Sequence, residues 1–217
     1  ARFLEFHALN GVPQRPEIVT LPVNRWILHE LDTIVFSFGE AISGYRFNEA
    51  ADKLYHFIWD LYCDWYIEFI KPDLDVSQET RKIAPFVLYQ AIQLLNPIMP
   101  FITEELNKRI FESDALLITA SNPTPTGLGA ADTQLPMVID LITEIRAIRS
   151  EMKIPLSSKP QLLVRSASNT QIKVIESMKI SLLKLARIQK FSFTLDEFPK
   201  KTVTSNLHGF DIGLPLD

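Results

Sequence analysis

The sequence predicts a mainly α-helical fold, an antiparallel helical bundle followed by a small α+β appendage. Three observations carry this. The stretch from Tyr45 to Pro72 shows apolar residues at helical spacing on two stripes, one with Ala50, Leu54, Phe57, Ile58, Leu61, Trp65 and Phe69, the other with Tyr55, Trp59, Tyr62 and Tyr66. The tight connection at Ser43-Gly44 before it leaves room only for an antiparallel neighbour. Beyond residue 154 the long helical patterns give way to short β-like runs flanking one amphipathic helix. The expected organisation is a lead-in over 1–21, a bundle over 22–154 and a small α+β subdomain over 155–217.

Taken in order, residues 1–21 are rich in proline and read as the tail of a preceding element and an extended lead-in. A helix starts at Leu21 or Pro22, with Asn24 able to cap it and Trp26, Ile27, Leu31, Ile34, Val35, Phe38 and Ile42 inward; Gly44 supplies a left-handed stop. The central helix follows from Asn48 to Ile70, ended by Pro72. Two apolar stripes leave it little surface for water, so it belongs in the middle of the bundle. After a loop over Asp73 to Ser77, a third helix starts at Ser77 or at Pro85, with Ile83, Val87, Ala91, Leu94 and Leu95 inward. Asn96-Pro97 and Pro100 interrupt the chain before a fourth helix with Phe101, Ile102, Leu106, Ile110 and Phe111 inward. Ser113 to Asp132 is a loop with a short extended piece at Leu116–Thr119. A fifth helix covers Asp132 to Met152, with Arg146, Arg149 and Lys153 on a different face from its apolar residues. The appendage comprises β-like Gln161–Arg165, a helix from Thr170 to Ile188, β-like Phe191–Leu195, and two strands turning at His208-Gly209.

The 217 residues, 47% hydrophobic and 22% charged, suit a soluble globular chain with a real core. No run of about 18 apolar residues is present, so no membrane span and no membrane partner are expected. The chain opens on Ala-Arg-Phe-Leu-Glu without a starting Met or a leader pattern, as a piece of a longer protein does. The single cysteine, Cys63, excludes an intrachain disulfide, fits a reducing compartment and reads as a small buried apolar residue. The net charge of −4 argues against a general DNA-binding surface. Its distribution is uneven: −4 over residues 1–71, −3 over 72–131 and +3 over 132–217, so the last third offers a polyanion a basic surface, or is simply a solvated lysine face.

Few constellations suggest chemistry. Asp60, Asp64 and Glu68 form an acidic edge, but a hard cation needs further oxygen ligands that no loop supplies; pairing with neighbouring arginines explains the edge better. His7, His29, His56 and His208 have no helical partner at metal spacing, and His7, in the polar lead-in, is the one that invites inspection. There is no phosphate loop, dinucleotide fingerprint or serine elbow. Ser177-Met178-Lys179-Ile180-Ser181 superficially matches an ATP-loop signature, yet lies inside an amphipathic helix without glycines. For unpaired bases, which are held by aromatic or guanidinium stacking and by edge hydrogen bonds, the candidates are Arg2, Asn24, Arg25, Trp26 and Arg46, where the chain feeds the first two helices. Spacing alone favours a place for Trp26 in the core.

The run from Arg46 to Pro72, RFNEAADKLYHFIWDLYCDWYIEFIKP, resembles the anticodon-binding domain of the valyl-tRNA synthetases, which are class I aminoacyl-tRNA synthetases. Asn24-Arg25-Trp26-Ile27-Leu28, the run from Asn96 to Leu106 (NPIMPFITEEL) and the run from Ile145 to Met152 are similar to further pieces of that domain in the same order. The resemblance spans residues 22–165, with a fainter continuation to Pro215. Asn96 stands where the family usually has His, and Asn107 where it usually has Trp. Isoleucyl and leucyl relatives share the bundle; Cys63-Asp64-Trp65 after a Phe-Ile-Trp run points to valine.

The resemblance implies a cytoplasmic, monomeric parent ligase that activates valine with ATP and magnesium and charges valine tRNA. The ATP motifs are missing from this chain, so it is expected to hold no cofactor and no metal, to catalyse neither step, and to bind the anticodon. A valine anticodon carries A in the middle and C at its third position. Arg2, Arg25 and Trp26 are the residues expected to read it, with Asn24 and Arg46 beside them. The alternative from a different class is a helical protein–protein interaction module with an α+β tail, marked by an exposed apolar groove and no RNA contact.

Overall fold

The computed structural model describes residues 2–72, 74–131 and 134–215. The loop expected to open at Asp73 and the helix start expected at Asp132 fall outside them. The chain forms two compact units, Ala1–Ala131 and Asp132–Asp217.

The first unit is the helical bundle. Helix α1 (Arg2–Phe6) buries Leu4, and an extended segment then leads to α2 (Pro22–Ser43). Pro22 sits in the first turn, where its missing N–H costs nothing. The residue before the helix is Leu21; Asn24 lies inside it and is buried, so it is no cap. At the far end Gly44 has φ −88°, and Tyr45, at φ 57°, takes the left-handed position expected of the glycine. A Cβ on Gly44 would stand 2.3 Å from the Arg46 guanidinium, the free end of an exposed side chain that can swing aside, so neither backbone angle nor space demands glycine here.

The central helix is one continuous rod with a changed winding: α3 (Phe47–His56), a π-helical segment (Phe57–Tyr66) and α4 (Ile67–Ile70). Bonding from i to i+5 widens the turn, so the inward residues step from Phe57 to Tyr62 to Tyr66. This corrects the two-stripe reading. Leu61 and Trp65 are only half-buried, Cys63 is exposed, and the second stripe splits into buried Tyr62 and Tyr66 and exposed Tyr55 and Trp59. The rod therefore keeps an open face and is not enclosed by the bundle.

Helix α5 (Gln78–Leu95) starts at Ser77, whose Oγ accepts from the Thr80 backbone N–H at 3.1 Å; Pro85 is carried inside the helix. Helix α6 (Pro100–Phe111) buries Thr103, Asn107, Ile110 and Phe111, while Phe101 and Ile102, expected inward, are exposed. Side-chain bonds set this rotation. Asn96 Nδ2 donates to Thr103 Oγ1 (2.9 Å), and the Glu104 carboxylate accepts from Asn96 Nδ2 and from the Leu117 and Ile118 backbone. Asn107 Nδ2 donates to the Ala115 carbonyl (2.8 Å), and its Oδ1 has no partner among the described residues. The piece expected to be extended is a single 3₁₀ turn, Leu117–Thr119. The Asp32 carboxylate then accepts from the Thr126 and Gly127 N–H groups. A Cβ on Gly129 would meet the His29 backbone nitrogen at 2.3 Å, so only glycine lets this loop lie against α2.

Within the bundle α2 packs on α3, the π segment and α5, and α5 on α6. The N-termini of α2 and α5 share one end, joined by Asn24 and Thr80. The N-terminus of α3 lies at the other.

The second unit begins with α7 (Gln134–Glu151), expected as the fifth bundle helix but packed on α8 (Asn169–Ser177), α9 (Lys179–Leu185) and β3 (Thr202–Leu207). The boundary thus falls at residue 131 rather than 154. The helix expected over Thr170 to Ile188 breaks at Met178 into α8 and α9. Strands β1 (Gln161–Arg165), β2 (Lys190–Thr194), β3 and β4 (Phe210–Pro215) form a sheet in the order β2-β1-β4-β3. β1 and β2 are parallel, linked through α8 and α9, and β3–β4 is the hairpin expected at His208-Gly209, both residues at positive φ.

Candidate nucleic-acid interface

The five residues expected to meet bases do not form one site. Trp26 is 2% exposed and Asn24 fully buried. The Asn24 amide donates to Glu79 Oε1 (2.8 Å) and Thr80 Oγ1 (3.1 Å), and its Oδ1 accepts from the Tyr66 hydroxyl (2.8 Å). Burial pushes the neighbouring Glu30 carboxyl up in pKa, against the pull of His29, a hydrogen bond from Trp26, and His56. Neither Asn24 nor Trp26 presents a surface to a base, because both are buried in the bundle, Asn24 at the joint of α2, the π segment and α5. Arg25 is exposed on the first turn of α2, and Arg2 on α1. Arg46 lies beyond the other end of the 22-residue α2, so about 30 Å of helix separates it from Arg25. Antiparallel helices open at opposite ends of a bundle.

His7 is not a lone polar residue. It packs against the Phe3 and Phe6 rings, and its Nδ1 lies 3.7 Å from Asp75 Oδ1. No group of three or more His, Cys, Asp or Glu able to hold a metal occurs among the described residues. No described helix is long and apolar enough to cross a membrane.

The end that holds Arg46 carries the exposed aromatics. Tyr55 (60% exposed) and Trp59 (56%) lie one helical turn apart, with ring centroids at 6.1 Å and planes within 6°. They line an apolar groove of about 480 Å³ with Asn48, Ile58, Leu95, Ile98 and Met99. Phe47, exposed and edge-on to Tyr45 at 6.2 Å, precedes Asn48 at the start of α3 but does not itself line the groove. Arg46 Nε donates to Glu49 Oε2 (2.8 Å), and Lys53 Nζ lies 2.6 Å from Glu49 Oε1. The hydrogen bonds from Lys53, then Arg46, hold the Glu49 carboxyl below its usual range. The charges here neutralise one another, so the groove attracts rings and apolar edges more than phosphates. Sequence spacing had shown Tyr55 and Trp59 as apolar; only the π winding reveals that they face outward while Tyr62 and Tyr66 turn in.

A family model described as the anticodon-binding domain of tRNA ligase matches residues 24–165. The chain belongs to this family. The anticodon-binding domain thus takes in the bundle from Asn24 onward and continues through α7 to the end of β1. Curated relatives named valine–tRNA ligase agree. The one from Brucella suis is 34% identical over 99% of this chain and 25% of its own length. That from Bartonella quintana is 37% identical over 87% and 22%, and that from Cereibacter sphaeroides 33% over 100% and 23%. The anticodon-binding domain described here spans about a quarter of the length of these relatives.

Proposed function

We propose that the chain is the anticodon-recognition module of a valine–tRNA ligase and that the groove beside Tyr55 and Trp59 receives the unpaired anticodon bases. The observation that carries this reading is the exposed, parallel Tyr55–Trp59 pair beside an apolar groove. Exposing two large rings beside an apolar groove is unfavourable unless a partner covers them, and a splayed base is such a partner. The family match supports RNA as that partner, and the names of the relatives support valine. Arg46 and Phe47, at the start of the helix that carries the groove, supply an edge donor and a further stacking plane. Arg2 and Arg25, at the other end of the bundle, then contact backbone rather than anticodon bases.

In this reading the attachment of valine to tRNA, with ATP and magnesium, belongs to the parent enzyme, a monomer of the cytoplasm. The chain binds and does not catalyse. The test is a titration of the chain with two RNA hairpins, one carrying the valine anticodon and one mutated at its middle base. Preference for the first, lost in Tyr55→Ala and in Phe47→Ala without loss of thermal stability, supports the reading. Equal binding of both hairpins, or a groove that takes an apolar helical peptide and no RNA, overturns it in favour of a protein-docking module.

A further inference from the structure

The positive charge of residues 132–217 gathers at one corner of the second unit. The C-terminal end of α7, the turn over 155–159, the C-terminal end of α9 and the start of β2 meet there. Two arginines hold them together. Arg149, buried, donates through Nη1 to the Arg187 carbonyl (3.0 Å) and through Nη2 to the carbonyls of Pro155 (3.1 Å) and Ser158 (2.9 Å). Arg146 Nε donates to the Leu185 carbonyl (3.0 Å). The Gln189 N–H closes the junction on the Pro160 carbonyl (3.1 Å). These bonds spend guanidinium donors on carbonyls of the turn after α7 and on carbonyls at the end of α9, where cations are favoured.

Around them stand exposed Lys153, Lys159, Lys184, Arg187 and Lys190. None of these five forms an ion pair among the described residues. Capping does not use them, and Glu151 is the carboxylate nearest in sequence to Lys153. Burial and, after it, the Arg187 charge lower the pKa of Arg149, as expected where like charges are held close. Lys153 and Arg187 also sit at positive φ (51° and 52°), each just past a helix end, which fixes their backbone in a turn and points the junction outward.

We infer that this corner is a second RNA-contact surface, one that takes phosphodiester backbone without reading sequence. The inference rests on the RNA-binding reading above but concerns different residues and different chemistry. Five exposed cations without aromatics among them suit phosphates, whereas the groove on the bundle has aromatics and balanced charge. Division of labour between base contacts and backbone contacts is the usual pattern in nucleic-acid recognition.

The test measures binding of the valine-anticodon hairpin and its middle-base mutant by the full 217-residue chain as a function of salt. The corner pair Lys184→Gln/Arg187→Gln is compared with Lys173→Gln/Lys179→Gln, which removes the same charge from α8 and the start of α9. Each lost phosphate contact makes the slope of log K against log salt shallower by about 0.7–0.9. The corner pair is therefore expected to flatten the slope by about 1–2 and weaken both hairpins about equally, with the preference between them unchanged. The control pair should bind as the parent does. Equal effects of the two pairs would mean overall charge rather than a site, and overturn the inference. A corner pair that binds with the parent's slope, while the parent still prefers the valine hairpin, overturns the corner and leaves the anticodon reading standing. A flattened slope without any anticodon preference in the parent does the reverse. Displacement of RNA by polyglutamate at equal charge concentration would show an acidic-protein surface and also overturn the inference.

Discussion

Asn24 Nδ2 donates to Glu79 Oε1 at 2.8 Å, tying the first turn of α2 to the first turn of α5. Glu79 also accepts from the Thr20 and Leu21 backbone N–H groups (2.9 and 3.0 Å) and from the Thr20 hydroxyl (2.7 Å). A helix N-terminus is normally capped by a residue of its own chain segment. Helix α2 has no such side-chain cap; a carboxylate from another helix instead holds the two residues that lead into it, and a buried Asn inside the helix completes the joint.

Acid should weaken this joint. Burial alone would raise the Glu79 carboxyl; the hydrogen bonds from Asn24, the Thr20 side chain and the backbone of Thr20 and Leu21 outweigh it and hold the group below its usual 4.5. A depressed folded pKa contributes stability that is full above the unfolded value and is lost as pH falls through the folded one. The melting temperature should therefore fall on acidification below about pH 4.5, and Glu79→Gln should melt lower at neutral pH with a flatter acid profile. Thermal melts of both proteins across that range decide it; superimposable acid profiles would remove Glu79 from the account.

The central rod gives a contrast in stability. Phe57 and Leu54 are fully enclosed, whereas Trp65 is half-buried and stacks on Phe69 with centroids at 5.8 Å. Phe57→Ala should cost about 3–5 kcal/mol, as expected for an enclosed aromatic that leaves a cavity. Trp65→Ala removes a larger ring but opens its space to water, so it should cost clearly less. Urea unfolding of the two variants gives the order; a larger loss at Trp65 would place the core on the other side of the rod.

Arg149 gives a prediction about packing in the second unit. Its guanidinium satisfies three backbone carbonyls at one corner, and Lys cannot span them. Arg149→Lys should destabilise the protein by about 1–3 kcal/mol, the usual cost of leaving buried acceptors without donors. Denaturant melts measure it. No change in midpoint would mean that water replaces the lost bonds.

The bundle could be read from the sequence because long apolar periodicities and proline punctuation are local signals. The helices around Asn24–Ile42, Asn48–Ile70 and Ser77–Leu95 stand where those signals put them. What escaped were features set by contacts distant in sequence. The π winding follows from how Tyr62 and Tyr66 reach the Ala84 carbonyl and Asn24, on other helices. The rotation of α6, which exposes Phe101 at 90%, follows from the bonds of Asn96 and Glu104. The allegiance of α7 to the second unit follows from Asp140, Arg146 and Arg149 bonding to residues 38 to 68 positions further on. The candidate site was missed in part for a simpler reason. Arg25 lies in the first turn of one helix and Arg46 just before the next, but antiparallel packing carries the second to the opposite end, and an aromatic at helical spacing gives no sign of whether it faces core or solvent until its neighbours are known.

That ambiguity yields the sharpest prediction, because Trp26 and Trp59 now have opposite roles. Trp26 is enclosed in the core of the bundle, while Trp59 is half exposed beside Tyr55. Trp26→Ala should cost about 3–5 kcal/mol in stability, and any fall in RNA binding should track the fraction unfolded. Trp59→Ala should change stability by less than about 1 kcal/mol, as exposed positions usually do. It should nevertheless weaken binding of the valine-anticodon hairpin by about 1–3 kcal/mol, the loss of one base stack. Because no charge is removed, the salt dependence should keep the parent's slope. Calorimetric melts and RNA titrations at two salt concentrations separate these outcomes. Should Trp59→Ala bind as the parent does while Trp26→Ala, still folded, loses binding, the bases are received at the Arg25 end of the bundle and the groove beside Tyr55 serves another partner.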